Sequence, residues 1–203
     1  MASNPERRTA LIDAAIEVLA REGARGLTFR AVDAEAGVPA GTSSNYFTSR
    51  DDLFTQAGRR IHVRMTPAPQ DVAEAMRPAP SRELITSLMH WLVRRMAAER
   101  TGYLALLELR LEATRRPALR AELTRAIRAE LEANIQFHVD SGLPGDPDTV
   151  RLLHLAITGL LVETFTLPGV FGDNLGQGGH GRKLAALERD RLIDLIVSRI
   201  VPS

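Results

Sequence analysis

Gly37 stands between two short stretches of helix-favouring residues, and a glycine there dictates a sharp reversal from one helix into the next. The segment runs LTFRAVDAEAGVPAGTSSNYFTSR, from Leu27 to Arg50. Thr28 is placed to cap the first helix with its hydroxyl, and Ala31, Val32, Ala34 and Ala36 give that helix a small or apolar inner side. The second helix is expected almost at once, with Pro39 in the first turn, where its missing N–H has no partner to lose. Val38 and Phe47 bracket it, and Ala40, Thr42, Ser43, Ser44, Asn45 and Tyr46 between them are small or hydrogen-bonding. A helix with so little to bury on one side presents that side to something polar, and the groove of duplex DNA fits such a face.

The surrounding chain reads as helix throughout. Pro5, preceded by Ser3 and Asn4, predicts a first helix over 5–21 with Leu11, Ile12, Ala15, Ile16 and Leu19 on its apolar side. Asp51 and Asp52 favour a helix start, and Leu53, Phe54, Ala57 and Ile61 carry that helix to about Met65. Four prolines in residues 66–80, around a short helical stretch near Asp71–Met76, mark a joint. Helical spacing resumes through Leu84, Ile85, Leu88, Trp91 and Met96, continues from Thr101, and runs from Pro117 through Leu119, Leu123, Ile127, Leu131 and Ile135 to the turn at Gly142–Gly145.

The ordered set Glu22-Gly23, Gly26-Leu27-Thr28, Ala36-Gly37-Val38, Gly41-Thr42, Tyr46-Phe47 and Ser49-Arg50-Asp51-Asp52-Leu53-Phe54 resembles the DNA-binding domain of the tetracycline-repressor (TetR) family of bacterial transcriptional regulators. The motif resemblance covers about Pro5 to Phe54; beyond it the chain is similar to the family in length and helical pattern. The resemblance implies an all-α fold: an N-terminal three-helix, helix-turn-helix DNA-binding domain over 1–50, then a larger helical ligand-binding and dimerisation bundle over 51–203. It also implies a repressor that a small-molecule effector releases from its operator.

Charge does not point to bulk coating of nucleic acid. The net charge is +1, and residues 1–66 carry nine arginines against eight acids, so binding must depend on where the arginines sit. The chain has no cysteine, which removes thiolate nucleophiles and thiolate metal sites, and no two histidines lie at metal-binding helical spacing. Paired catalytic carboxylates, a nucleophile signature and a cofactor loop are also missing, so neither enzyme chemistry, cofactor nor metal is expected. The six glycines within Pro168–Lys183 lack the lysine-serine ending of a phosphate loop and predict a flexible loop between the last two helices. No apolar run reaches membrane-spanning length and the N-terminus carries early acids, so a cytoplasmic protein without membrane contact is expected.

By the resemblance, Thr28, Thr42, Tyr46 and Arg50 match positions that grip phosphates, while Arg30 matches one that reaches a base. The Arg30 fork suits guanine O6 and N7. Pro39, Ala40, Gly41, Ser44 and Asn45 match the exposed recognition surface, where Asn45 suits adenine and Pro39 or Ala40 a thymine methyl. Ser44 stands where the family often has tyrosine, and Asp33 where it commonly has alanine. Asp33 either accepts from amides at the start of the recognition helix or rotates outward; the sequence leaves both open.

Residues 150–166 are apolar nearly all round the helix, which asks for cover on two sides. Leu153, Ile157, Leu160 and Leu161 there, with Leu192, Leu195 and Ile196 on a last helix over 184–201, are expected to build a homodimer interface of two helices per subunit, as in the family. Met89, Trp91, Tyr103, Leu107, Phe137, His138, His154, Glu163 and Phe165 are candidates to line a site for a small hydrophobic or amphipathic effector. Glu163 would either neutralise a cationic ligand or pair with an arginine such as Arg199 or Arg110. The expected partners are therefore a pseudo-palindromic DNA duplex, the effector and a second copy. A helical ligand-binding or protein-interaction module without DNA affinity is the alternative.

Overall fold

The computed structural model describes residues 4–171 and 179–202, with the side chains of 179–185 outside that description. Among the described residues the fold is all-α, as the sequence predicts: α1 Pro5–Gly26, α2 Phe29–Glu35, a 3-10 turn Ser43–Asn45, α3 Arg50–Met65, α4 Pro69–Ala75, α5 Arg82–Ala98, α6 Arg100–Ala113, α7 Pro117–Asp140, α8 Pro147–Thr166 and α9 Gly179–Ile200. Packing divides the chain into two compact units. One takes the chain up to Thr66 together with Glu99–Ile127, and the other takes Pro67–Ala98 together with the chain from Arg128 on. The domain boundary expected after residue 50 therefore falls inside the first unit, because α3 and α6 both pack on α1.

The local signals explain the element starts. The Asn4 side chain accepts from the Arg7 amide, the Thr28 hydroxyl from Ala31, the Ser49 hydroxyl from Asp52, and Asp146 forms a reciprocal capping box with Thr149. Helix α1 outlasts its predicted end at Arg21, although its backbone leaves helical geometry at Gly23 (φ 69°). Helix α9 likewise starts earlier than predicted. Gly179–Lys183 belong to it rather than to the expected glycine-rich loop, and the central part of that loop, residues 172–178, lies outside the described residues.

In the first unit, Leu11, Ile16 and Leu19 of α1 meet Val32 of α2, Leu53, Phe54 and Ile61 of α3, Leu109 of α6, and Phe47 from the segment before α3 in one buried core. Ion pairs tie its rim: Arg60 holds Asp13 through two 2.9 Å bonds, Arg64 reaches Glu99 at 2.9 Å, and Arg59 reaches Glu122 at 2.7 Å. The bond from Arg59, helped by Arg125, holds the Glu122 carboxyl below its usual pKa, and Arg116 does the same for Glu112.

The second unit closes its core with Leu84, Ile85, Leu143, Leu153, Val197 and Val201, from α5, α8, α9 and the α7–α8 turn. His90 of α5 bonds Asp194 of α9 at 2.7 Å. Helix α8 is, among the described residues, the one helix long and apolar enough to cross a membrane by composition. Its apolar character has a packing origin, because Leu153, Ile157, Leu160, Leu161 and Phe165 are all buried.

Candidate DNA-binding surface

Helix α2 ends through Ala36, and Gly37 takes φ +64°, the left-handed geometry a residue with a Cβ resists. Beyond Gly37 the chain departs from the expected helix. Residues 38–42 are irregular and contain a turn, with Gly41 at φ +91°, before the single 3-10 turn Ser43–Asn45. Side chains explain why a longer helix does not form. The Thr42 hydroxyl donates to the Pro39 carbonyl at 2.6 Å, and Ser44 Oγ and Asn45 Nδ2 donate to the Gly41 carbonyl at 2.7 and 3.2 Å, so short polar groups compete with helical bonding.

Asp33 resolves the choice that the sequence leaves open: it points inward. It is 2% exposed, and its Oδ2 accepts from the Gly41 amide at 2.7 Å. Oδ1 accepts from the Ser43 amide at 2.8 Å and from the Ser43 hydroxyl. Ser43 is fully buried at the position opposite. The carboxylate thus has three donors, which offsets the cost of burying it.

The recognition candidates separate into three groups. Arg30, Pro39, Ala40, Gly41, Ser44 and Asn45 are exposed on α2 and the turn. Thr28, also exposed, spends its hydroxyl as the α2 cap, Thr42 is half-buried, and Tyr46 packs its half-buried ring against the core of its unit. Arg50, expected to grip phosphate, instead donates to the Ala24 carbonyl and lies with its guanidinium 5.2 Å from the Phe54 ring centroid. That contact clasps the α1–α2 junction to α3.

Position selects among the arginines of this unit. Arg8 bonds Gln56 and covers the Phe47 ring; Arg21, Arg59, Arg60 and Arg64 are in ion pairs; Arg50 is clasped. Among the nine arginines of residues 1–66 this leaves the exposed Arg7, Arg25 and Arg30 with guanidinium groups that no described residue engages. Arg7 and Arg25 escape sequence reasoning, since nothing in composition tells a paired arginine from an unpaired one.

The interface candidates need a correction. Leu153, Ile157, Leu160 and Leu161 are buried within their own subunit, because an all-round apolar helix hides its phase. Helix α8 turns Leu152 and Leu155 outward instead, 52% and 67% exposed, with Gly159 also exposed. On α9, Leu195 is exposed, while Leu192 and Ile196 are half-buried and Ile196 packs on the core.

The effector candidates are divided between the two units. Tyr103 and Leu107 belong to the first unit, and burial pushes the Tyr103 phenol above its usual pKa. In the second unit, Met89 packs on the core, Phe165 is buried, Phe137 is exposed, and Trp91 and His154 are half-buried. His138 bonds the Pro144 carbonyl at 3.0 Å and so braces the α7–α8 turn. Glu163 is half-buried, and within its unit the pairing with Arg199 does not form; its carboxylate has no partner among the described residues of that unit, while Arg110 belongs to the other unit.

Comparison with known proteins gives the same picture. Residues 11–57 match the model described as bacterial regulatory proteins, tetR family, and residues 80–195 match the tetracyclin repressor-like C-terminal domain. The HTH-type nicotine-responsive transcriptional repressor HdnoR of Paenarthrobacter nicotinovorans is 29% identical over 136 residues, which span 66% of this chain and 67% of the relative. The multidrug binding protein EbrR complexed with ethidium is 28% identical, with a TM-score of 0.64 and coverage of 97% of this chain and 99% of that one. A TetR-family member from Streptomyces coelicolor is 29% identical, with a TM-score of 0.64 over 98% of this chain and 100% of the other.

Proposed function

The chain belongs to the tetR family of bacterial regulatory proteins and is a DNA-binding, ligand-responsive transcriptional regulator, and from that premise we propose that it is a homodimeric repressor whose two recognition turns read a pseudo-palindromic operator. The observation that carries this reading is the turn 39–45, exposed at Pro39, Ala40, Gly41, Ser44 and Asn45, together with an exposed Arg30 whose guanidinium has no partner among the described residues. In a dimer the two turns would enter major grooves about 34–36 Å apart. Arg30 is assigned base reading, Ser44 and Asn45 edge contacts, Pro39 and Ala40 apolar contact, and Thr28, Thr42, Tyr46, Arg7 and Arg25 the backbone. Arg50 supports the site from behind.

Arg30→Ala is expected to relax preference at one base pair in each half-site, a loss of about 1–3 kcal/mol of discrimination. Selection of duplexes from a random pool by wild type and variant measures it. An equal loss on all sequences would assign Arg30 to a phosphate instead.

The second unit is assigned the effector. Ethidium is a permanent cation and nicotine is protonated at neutral pH, and these ligands belong to EbrR and HdnoR by name. A half-buried carboxylate without a partner among the described residues of its unit, Glu163, supports a cationic, amphipathic effector for this chain too. An effector that binds better to the state with mismatched turn spacing would draw the population away from DNA, as release of a repressor requires. Glu163→Gln is then expected to weaken binding of cationic dyes by roughly tenfold or more, the scale of one desolvated charge contact, while leaving neutral aromatic ligands unaffected in a fluorescence titration. Equal effects on both classes would remove Glu163 from the site.

A further inference from the structure

We propose that Asp33 sets the sequence selectivity of DNA binding from inside the protein, as a positioning residue that fixes the recognition turn without reaching a base. The inference rests on the reading of turn 39–45 as the DNA-reading element. At 2% exposure the Asp33 carboxylate is closed off from any duplex, yet it engages the turn at two main-chain points and one side chain: the amides of Gly41 and Ser43 and the Ser43 hydroxyl. The Asp33 carbonyl also accepts from the Val38 amide at 3.0 Å, so one residue of α2 holds both the entry and the middle of the turn.

Several other polar groups of the turn close on themselves. The carbonyls of Pro39 and Gly41 are taken by Thr42, Ser44 and Asn45, and the amides of Thr42 and Asn45 bond the carbonyls of Pro39 and Thr42. The Gly41 and Ser43 amides have no main-chain acceptor, and Asp33 is what satisfies them. A turn built around a glycine at φ +91° has little intrinsic preference for that conformation, so the carboxylate selects it. Ser44 and Asn45, exposed on the far side of the same turn, inherit their direction from it. A reading surface so small loses discrimination once its supporting contacts loosen.

The buried hydroxyl of Ser43 belongs to the same device. A buried carboxylate and a buried serine in contact form a matched pair, so removing Asp33 alone strands Ser43 and two amides, whereas removing both strands only the amides. Asp33→Asn is the sharpest variant. It keeps shape and volume but offers one acceptor atom where the carboxylate offers two, and its amide group faces an N–H donor.

The test compares wild type, Asp33→Asn, Asp33→Ala and Asp33→Ala/Ser43→Ala on the duplex that wild type selects from a random pool and on a scrambled duplex. Circular dichroism and amide hydrogen exchange are recorded for each. The expected result is a fall of about tenfold or more in affinity for the selected duplex, with scrambled-duplex affinity within about twofold of wild type. Helical content should be retained, and exchange at Gly41 and Ser43 should be slow in wild type and fast in the variants. Folded variants that keep the wild-type ratio of selected to scrambled binding, or fast exchange at both amides in wild type, overturn the proposal. If Asp33→Ala fails to fold, Asp33→Asn and the wild-type exchange data decide. Failure of wild type to select any duplex, with slow exchange at Gly41 and Ser43, would refute the DNA-reading role of the turn and the selectivity claim with it, while leaving the geometry intact.

Discussion

Leu155→Arg is expected to leave a folded monomer whose affinity for a two-half-site duplex is about 100-fold or more below that of wild type. Leu155 is 67% exposed in the middle of α8, with Leu152 and Gly159 on the same outward stripe, so an arginine there has room among the described residues of its own subunit. Exposed substitutions of this kind change protomer stability by only about 0.5 kcal/mol. Against a second copy the effect reverses: two guanidinium groups would meet across a symmetric apolar contact, where neither finds a partner. Tethering two weak half-site contacts through a dimer multiplies affinity by about 10²–10⁴, and that factor is what the variant forfeits. Size-exclusion chromatography with light scattering reads the oligomer, and gel retardation reads the DNA. A dimeric Leu155→Arg protein would place the interface elsewhere.

Phe54→Ala is expected to destabilise the first unit by about 3–5 kcal/mol, a large part of the roughly 5–15 kcal/mol available to a folded domain. Phe54 is fully buried, and its ring lies 5.2 and 4.9 Å from the guanidinium carbons of Arg50 and Arg116. Removing the ring opens a cavity and withdraws the surface on which both cations rest. Arg50 holds the Ala24 carbonyl at the entry to α2, and Arg116 pairs with Glu112 and Asp51, so the loss reaches the junction that positions the recognition turn. A fall in the urea midpoint, with DNA binding lost well below the wild-type melting temperature, is the expected measurement. A change under 1 kcal/mol would mean that the core does not support the turn in this way.

Legible in the sequence is whatever neighbouring residues decide among themselves. Thr28 caps its helix, Gly37 reverses the chain, and Pro5 sits in a first turn, because each effect acts within a few residues. The recognition element, by contrast, reads as a full helix and is not one. Its shape depends on the Asp33 side chain reaching Gly41 and Ser43, eight and ten residues along, against local donors from Thr42, Ser44 and Asn45. Helix α8 reads as needing cover on two sides, but its uniform apolarity carries no phase, so the sequence names as interface the residues that the subunit's own core buries. Arg50 reads by its place in a motif, whereas its partner, Ala24, is fixed only by packing.

The central claim is that a turn held by buried contacts reads paired bases twice, from a symmetric dimer. Selection of binding sites from a random duplex pool, followed by retardation of the enriched duplex across a salt series, tests it most directly. The account predicts an inverted repeat with half-site centres about one helical turn apart, bound by two chains, with affinity falling steeply as salt rises. Recovery of no enriched sequence even at low salt, or of a single unrepeated site bound by one chain, would contradict it.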